Sequence, residues 1–315
     1  MTFAVVFPGQ GSQSLGMLAS LGDQYSIIKH IFKEASENIG YDLWAVTQQG
    51  PTERLNATAC TQPALLTAGV ALWRVWQAQG GPQHPAFMAG HSLGEYTALV
   101  CAGALDFRTA VKLVEFRGQA MQAAVPAGTG TMAAVLGLTD EDVEAACDEA
   151  AGDQVVAAVN FNAPGQVVIA GHKAAVERAS LLCKTKGAKR VIPLLVSVPS
   201  HCALMKPAAE QLAGRLAGVA FQQPAIPVIH NVDVASHTGA DAIRGALKAQ
   251  LYSPVRWVET IRFLARQGAT KLVELGPGGV LAGLGKRIDK TIETYPVYDP
   301  AGLDAALGAL KKGAK

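Results

Sequence analysis

The stretch MAGHSLGEYTALVCAGAL, residues 88–105, decides how the fold of this chain is read. The stretch begins at the end of a short apolar run and continues into a helix-like segment. Between them Gly90, Ser92 and Gly94 fit G-x-S-x-G, the pattern of a serine at a sharp turn from a strand into a helix. Such a turn exposes the hydroxyl beside backbone N–H groups that can bind an oxyanion. We predict a nucleophile at Ser92, against the alternative of an ordinary helix start between glycines.

Short β-rich runs alternate with longer amphipathic segments on both sides of this turn. The runs FAVVF (3–7), AFMA (86–89), VIPLLVSV (191–198), IPVIH (226–230) and KLVEL (271–275) are each followed by a turn and a helix-like segment. This alternation predicts an α/β fold, with a mostly parallel sheet and helices on both faces.

The middle of the chain has a different order of elements. From GTMAAVLGL onward the patterns give β-α-β-β-α-β, with Thr139 as the N-cap of the first helix. We therefore predict a ferredoxin-like small subdomain over residues 126–196. It is inserted in a larger domain formed by residues 1–125 and 197–315.

Composition restricts the classes of protein to consider. Of 315 residues 50% are hydrophobic and 17% are charged, which disfavours disorder and coiled coil. A net charge of +2 does not indicate a nucleic-acid partner. The sequence has neither the ~18-residue apolar run of a membrane span nor the basic start of a signal peptide. We expect a soluble, cytoplasmic monomer with no membrane partner.

Cysteines and basic residues are scattered along the chain. The five cysteines lie far apart without CxxC or metal-ligand spacing, so we expect reduced core thiols and no metal. Basic clusters occur at KTKGAKR (184–190), KR (286–287) and KKGAK (311–315). Such clusters are most often solvated surface, and the alternative is a docking face for an acidic partner.

A second glycine-containing turn, FPGQGSQ at residues 7–13, follows the first predicted strand. It departs from the dinucleotide pattern G-x-G-x-x-G because position 14 is serine, so a nucleotide role is disfavoured. Two interpretations remain open. The turn either brings the Gln10 N–H to the site as a second oxyanion donor, or it is only a tight turn.

Seven histidines compete for the role of base. His91 adjoins the serine, but neighbouring side chains in such a turn point apart. His230 ends a predicted strand and is a weaker candidate. His201 follows an apolar strand and precedes a helix, and the carboxyl edge of a parallel sheet is where sites gather. His201 is therefore preferred on position, although no acid is evident as a third member.

The segments discussed above resemble the malonyl-CoA:acyl carrier protein transacylases, which load malonyl units for fatty acid synthesis. The matching segments follow the order of that family along nearly the whole chain. They are FPGQGSQ, TQPALL, GHSLGEYTALVCAG, EFRGQAMQ, NFNAPGQVVIAG, VSVPSHCALMKPA, QLYSPVRW and ELGPGGVL.

The resemblance implies an α/β-hydrolase-like large domain beside the ferredoxin-like one, and a catalytic dyad. Ser92 would be the nucleophile and His201 the general base. A backbone carbonyl at Gln250 would hold the imidazole, which accounts for the missing acid. The amides of Gln10 and Leu93 would form the oxyanion hole.

Arg117 has two interpretations. Alone, an arginine on an apolar helix more often pairs with a structural carboxylate. The resemblance implies instead that it holds the free carboxylate of the malonyl group, for which its planar fork is suited. Four further residues would bind substrate: Gln62, Met121, Asn160 and Asn162.

The expected function is malonyl transfer from malonyl-CoA to acyl carrier protein by a free-standing, bacterial-type enzyme without cofactor. Leu93 and the PSH triplet before Cys202 favour malonyl over methylmalonyl. His230 departs from the family, where a smaller polar residue is common. The alternatives are a serine hydrolase, which predicts an acid between the serine and a late histidine, and a non-catalytic CoA-binding protein.

Overall fold

A computed structural model describes residues 2–194, 196 and 198–311 of the chain. The strands in that part are β1 (Phe3–Phe7), β2 (Phe87–Gly90), β3 (Gly130–Leu136), β4 (Val156–Ala163), β5 (Gln166–His172), β6 (Arg190–Pro193), β7 (Val228–Ile229), β8 (Lys271–Leu275) and β9 (Glu293–Val297). The helices are α1 (Ala19–Gln24), α2 (Ser26–Ile39), α3 (Leu43–Gln49), α4 (Thr52–Asn56), α5 (Thr58–Ala78), α6 (Gly94–Cys101), α7 (Phe107–Ala124), α8 (Asp140–Ala151), α9 (Lys173–Thr185), α10 (Lys206–Ala217), α11 (Ala240–Gln250), α12 (Trp257–Arg266), α13 (Val280–Ile288) and α14 (Pro300–Lys311).

Five of the strands form a parallel sheet in the order β7-β2-β1-β8-β9. Its central strand β1 is buried along its whole length, as expected for a parallel strand with helices on both faces. The predicted α/β fold with a parallel sheet is confirmed. The sequence patterns did not predict β9, whose ETYPV combines a charge with a proline; both suit the sheet edge where it lies.

The other four strands form an antiparallel sheet in the order β4-β5-β3-β6. Helices α8 and α9 pack on it around a separate apolar core. Thr139 caps α8 as predicted, because its Oγ1 accepts a hydrogen bond from the Asp142 amide at 3.2 Å. The predicted domain boundary falls on Ser197, which lies outside the described residues.

One predicted strand is placed differently from the expectation. Among its described residues, the run VIPLLVSV contributes only to β6, which pairs antiparallel with β3. His201 therefore does not follow a strand of the parallel sheet, and the positional argument for it was wrong. The β propensity of the run is satisfied in the smaller sheet, and the chain then crosses back to the larger one.

All five cysteines are free and none is fully exposed. Burial raises the pKa of every one of these thiols, that of Cys202 to about 11 and that of Cys147 to about 12. In the described part of the chain no helix combines the length and apolarity needed to cross a membrane.

Candidate active site

The serine turn is closed by two glycines. Strand β2 ends at Gly90 and helix α6 begins at Gly94, and Ser92 between them has a φ of 51°. A Cβ at Gly90 would lie 1.9 Å from the carbonyl carbon of Gly94, and a Cβ at Gly94 would lie 2.0 Å from the oxygen of Phe7. Any side chain at either position would open the turn, which explains the spacing on which the prediction was based.

The imidazole of His201 meets the serine hydroxyl. Ser92 Oγ lies 2.8 Å from His201 Nε2, and His201 Nδ1 lies 2.7 Å from the carbonyl oxygen of Gln250. Because a carbonyl only accepts, Nδ1 carries the proton and Nε2 is free to accept one from the hydroxyl. His201 is held in a positive-φ conformation, with its amide donating to the Leu251 carbonyl at 2.9 Å.

Its surroundings keep this imidazole neutral. Burial lowers the pKa of His201 and the nearby positive charge of Arg117 lowers it further, to about 3. The ring is therefore unprotonated at neutral pH, the state that a general base requires.

Arg117 is a buried cation whose hydrogen-bond acceptors are neutral. It lies on α7, on the same face as Val114 and Met121, and is 1% exposed. Its Nη1 donates to Gln62 Oε1 at 2.8 Å and its Nη2 to Gln250 Oε1 at 2.9 Å. Within the described residues it makes no salt bridge, and its buried Nε has no partner. Burial lowers its pKa, although the guanidinium stays charged.

The guanidinium, the serine and the histidine share one small cavity of about 90 Å³. Arg117 Nη2 is 3.4 Å from Ser92 Oγ, so an acyl group on the serine would lie beside the cation. The cavity is lined by Gln10, Gln62, His91, Ser92, Leu93, Arg117, Met121, Met132, Asn160, Leu194, Val196, Val198, Ser200 and His201.

Most of the predicted site residues thus meet at this cavity. Gln10 and Leu93 both line it, and the Gln10 side chain is anchored by a 2.7 Å hydrogen bond from Thr58. Asn160 also lines the cavity, with a buried Oδ1 that has no partner in the described part of the chain. Asn162 does not line it, and its Oδ1 instead lies 2.8 Å from His91 Nε2.

The serine turn is supported by contacts that the sequence did not indicate, from Asn231 and from the side-chain carboxamide of Gln250. Asn231 Oδ1 accepts from the Ser92 amide at 2.8 Å, and its Nδ2 donates to the Gly90 carbonyl at 2.7 Å. The carboxamide Nε2 of Gln250 donates both to the Ser92 carbonyl and to Glu95 Oε2, each at 2.9 Å. Asn231 and Gln250 therefore clamp the turn from both sides.

A carboxylate, Glu95, anchors this support. It is fully buried, and it accepts from the Asn231 amide at 2.9 Å and from His230 Nδ1 at 2.7 Å. One signal in the sequence could have identified it, because Glu95 is the only charged residue of the apolar helix GEYTALVC. It contacts no atom of His201, so the site has no acid–histidine–serine triad among the described residues. Nor do these residues gather three metal-ligating side chains at any point.

Comparisons with known proteins agree along nearly the whole chain. A family model described as an acyl transferase domain matches residues 4–311. A malonyl CoA-acyl carrier protein transacylase of Salmonella typhimurium is 62% identical over 305 residues, 97% of this chain and 98% of that protein. A crystal structure of an acyl carrier protein S-malonyltransferase from Vibrio cholerae is 62% identical with a TM-score of 0.94, covering 97% of this chain and 99% of that one. A malonyl-transacylase solved in complex with a type II PKS acyl-carrier protein is 58% identical with a TM-score of 0.97, covering 98% and 100%.

Proposed function

Because the chain belongs to the acyl transferase family, as a member of its malonyl CoA-acyl carrier protein transacylases, we propose that its reaction passes through a malonyl ester on Ser92. The chain is an acyltransferase that moves malonyl from malonyl-CoA to acyl carrier protein in fatty acid synthesis. What the chemistry of the cavity adds is a role for each side chain in that transfer.

The observation that carries the proposal is the unpaired charge of Arg117 beside the serine hydroxyl. A buried ion is costly unless a counter-ion or strong hydrogen bonds compensate it, and here the acceptors are two carboxamides. An anionic ligand would supply the missing charge. The free carboxylate of malonyl lies a few bonds from its thioester carbonyl, so it reaches Arg117 when that carbonyl reaches Ser92. The fork of the guanidinium suits a carboxylate in particular.

The first half-reaction acylates the serine. His201 Nε2 takes the Ser92 proton as Oγ attacks the thioester carbon, and the Gln10 and Leu93 amides stabilise the oxyanion. The C–S bond then breaks, and His201 returns the proton to the CoA sulfur. Free CoA leaves and malonyl remains on Ser92 as an ester.

The second half-reaction reverses these steps with a different thiol. His201 takes the proton of the phosphopantetheine thiol, and the thiolate attacks the malonyl ester. When the C–O bond breaks, the proton passes to Ser92 Oγ and malonyl leaves on the carrier protein. After the two half-reactions the enzyme has neither gained nor lost a proton or an acyl group. This two-step transfer through a covalent intermediate is ping-pong catalysis.

Substrate binding also improves the base. The charge of Arg117 is one cause of the low pKa of His201, because it disfavours an imidazolium nearby. A malonyl carboxylate on Arg117 cancels much of that charge and raises the pKa of His201 toward neutrality. The base is then strongest when a carboxylated acyl group is bound.

We also propose the finer architecture. Residues 126–196 form a ferredoxin-like small subdomain, supported by the β-α-β-β-α-β order and the strand order β4-β5-β3-β6. Residues 1–125 and 197–315 form the α/β-hydrolase-like large domain, supported by the parallel sheet and the serine turn after β2.

The setting of the reaction follows from the same chemistry. We propose a monomer, since one chain supplies every group of the site, and an enzyme without metal or other cofactor, since amides and one imidazole serve each step. Five free thiols support a reducing compartment, the cytoplasm. Malonyl-CoA and acyl carrier protein are its partners.

Two variants test the proposal by intact-protein mass spectrometry and initial rates. Ser92→Ala should gain no malonyl mass on mixing with malonyl-CoA, whereas Ser200→Ala, which removes another hydroxyl lining the cavity, should gain it.

Arg117→Ala should lose roughly tens- to thousands-fold in kcat/KM for malonyl-CoA, because breaking a desolvated charge pair costs about 2 to 5 kcal/mol. Its rate with acetyl-CoA should not fall in parallel.

Arg244→Ala is the matched control for the arginine variant. Arg244 donates to the carbonyls of Leu216 and Val219, but it also pairs with Asp241 at 2.7 Å and lies outside the cavity. Its malonyl-to-acetyl ratio should equal that of the wild type. An Arg117→Ala enzyme with an unchanged ratio would make Arg117 a structural residue, and malonylated Ser92→Ala would exclude the serine ester.

A further inference from the structure

A chain of hydrogen bonds links Arg117 to a buried ion pair that the mechanism above does not use. Arg117 donates to one end of the Gln250 carboxamide at 2.9 Å, and the other end donates to Glu95 Oε2 at 2.9 Å. Glu95 Oε1 in turn lies 2.7 Å from His230 Nδ1. A guanidinium, an amide, a carboxylate and an imidazole thus follow one another without a gap.

Both members of the ion pair are out of contact with solvent. The side chains of Glu95 and His230 are each 0% exposed, so their charges act over a short distance with little screening. With His230 protonated, the charges of Arg117, Glu95 and His230 sum to +1. With His230 neutral they sum to zero. A carboxylate arriving at Arg117 meets a different electrostatic field in the two states.

The geometry identifies which ring nitrogen of His230 gains or loses the proton. Nδ1 keeps its hydrogen bond to Glu95 in both states, so protonation occurs at Nε2, which is buried and has no partner among the described residues. Other charged or titratable groups lie near the ring or near its chain neighbours. The ring of His237 is tilted by 37° at 4.9 Å between centroids and pairs with Asp233 at 2.7 Å. Arg256 donates to the backbone carbonyl of Val232, two residues after His230.

The carboxylates of Glu95 and Asp233 favour the charged form of His230. Burial alone lowers the pKa of its imidazole, but the charge of Glu95, the hydrogen bond to it and the charge of Asp233 together raise that pKa above its ordinary value. The imidazolium therefore persists to a higher pH than that of an exposed histidine, and it is lost as the pH rises further.

We propose that His230 is a positioning residue that strengthens the preference for carboxylated acyl groups, because its positive charge cancels that of Glu95 behind the malonyl-binding Arg117. The inference rests on the proposed role of Arg117. Loss of the His230 charge leaves Glu95 to repel the malonyl carboxylate through Gln250, whereas an acetyl group has no charge to be repelled.

The malonyl-to-acetyl ratio of kcat/KM measures this effect directly. Shared contributions cancel in the ratio, including the phosphates of CoA, the serine and the titration of His201 in the free enzyme. For the wild type the ratio should fall about three- to tenfold as the pH rises from about 6 to about 9.5, the size expected for one unit charge at a partly screened distance. The fall should appear mainly in the KM for malonyl-CoA.

Substitution of His230 separates its charge from its hydrogen bond. In His230→Asn the side-chain amide can still donate to Glu95, but it cannot be protonated. The ratio should then be independent of pH and equal to the alkaline value of the wild type, with acetyl-CoA rates unchanged. His237→Asn is the matched control, since it removes the neighbouring imidazole, whose hydrogen bond is to Asp233 and not to Glu95. It should retain the pH dependence of the wild type.

The possible results distinguish this proposal from the one on which it rests. A wild-type ratio that does not change with pH overturns the role of His230, and this measurement needs no variant to fold. The role is equally overturned if His230→Asn keeps the fall or if His237→Asn abolishes it. If Arg117→Ala has the same malonyl-to-acetyl ratio as the wild type, the proposed role of Arg117 in binding malonyl is overturned instead.

Discussion

At the scale of single residues, His201 shows how surroundings determine function. Its two ring nitrogens are assigned by their partners, the carbonyl of Gln250 on one side and the hydroxyl of Ser92 on the other. Its burial and the charge of Arg117 then keep it unprotonated. The same side chain on the surface would be half protonated near pH 6.5 and would be a poorer base in acid.

The lowered pKa of His201 predicts that the rate of the first half-reaction does not fall in mild acid. The pH dependence of kcat/KM reports the free enzyme, in which the pKa of His201 is lowered to about 3. Malonylation of the enzyme, followed by rapid quench and mass spectrometry, should therefore keep its rate as the pH falls through 6.5, the ordinary histidine value. A rate that halves near that pH would contradict the assignment. Circular dichroism at each pH controls for unfolding.

Other residues were beyond the reach of sequence reasoning. The supporting contacts of Ser92 come from Asn231 and Gln250, which lie 139 and 158 positions away along the chain. Gln250 lies in the segment QLYSPVRW, which indicated its backbone carbonyl but not its carboxamide, and Asn231 lies in none of the matching segments. A pattern of spacing identifies neighbours within one turn or helix, whereas these contacts depend on how the larger sheet and helix α11 meet.

At the scale of elements, the serine turn is a steric device. Gly90→Ala would place a methyl group 1.9 Å from the Gly94 carbonyl carbon, so the turn must open. We expect loss of malonyl transfer and a free energy of unfolding lower by roughly 2 kcal/mol or more, as for other overpacked sites. Activity assays and denaturant melts measure the two effects.

Gly245→Ala is the control for this substitution. Gly245 lies inside helix α11, where an added Cβ would meet no atom within 4 Å. Alanine there should raise the free energy of unfolding by up to ~1 kcal/mol, because it has the higher helix propensity, and activity should be unchanged. Equal effects of the two substitutions would show that the turn is not sterically constrained.

The elements differed in how well the sequence predicted them. The run FAVVF is continuously apolar and KLVEL has three apolar residues among its five, and the two proved to be neighbouring strands of the parallel sheet. The run before His201 was assigned to the wrong sheet, because apolar composition predicts a strand but not its partner. Strand β9 was missed because edge strands tolerate the polar residues and proline that patterns exclude.

At the scale of the whole molecule, two basic clusters come together that are far apart in the sequence. The aliphatic stem of Lys189 covers Gly137, whose amide donates to the Gly165 carbonyl. The next residue, Gln166, accepts a hydrogen bond from Arg287. Residues 184–190 and 286–287 therefore both approach the β4–β5 turn, and the third cluster lies mostly outside the described residues.

We expect this basic surface to steer an acidic carrier protein. Charge reversal by Lys189→Glu with Arg287→Glu should raise the KM for acyl carrier protein about three- to tenfold at low salt, since both side chains are exposed and screened. Malonylation by malonyl-CoA alone should be unchanged. In the wild type the same KM should rise with ionic strength up to ~0.5 M. A KM that is insensitive to both changes would assign the clusters to solvated surface.

The buried cysteines have a consequence for an enzyme whose substrates are thiols. The first half-reaction releases a free sulfhydryl beside the serine and the second consumes one, so the thiols of CoA and phosphopantetheine both come close to the protein. Disulfide exchange requires a thiolate on the protein, and the raised pKa values of all five cysteines leave almost none at neutral pH. Cys202, next to the base itself, is 2% exposed and donates to the Pro199 carbonyl. The enzyme can therefore handle sulfur nucleophiles without being captured by them as a mixed disulfide.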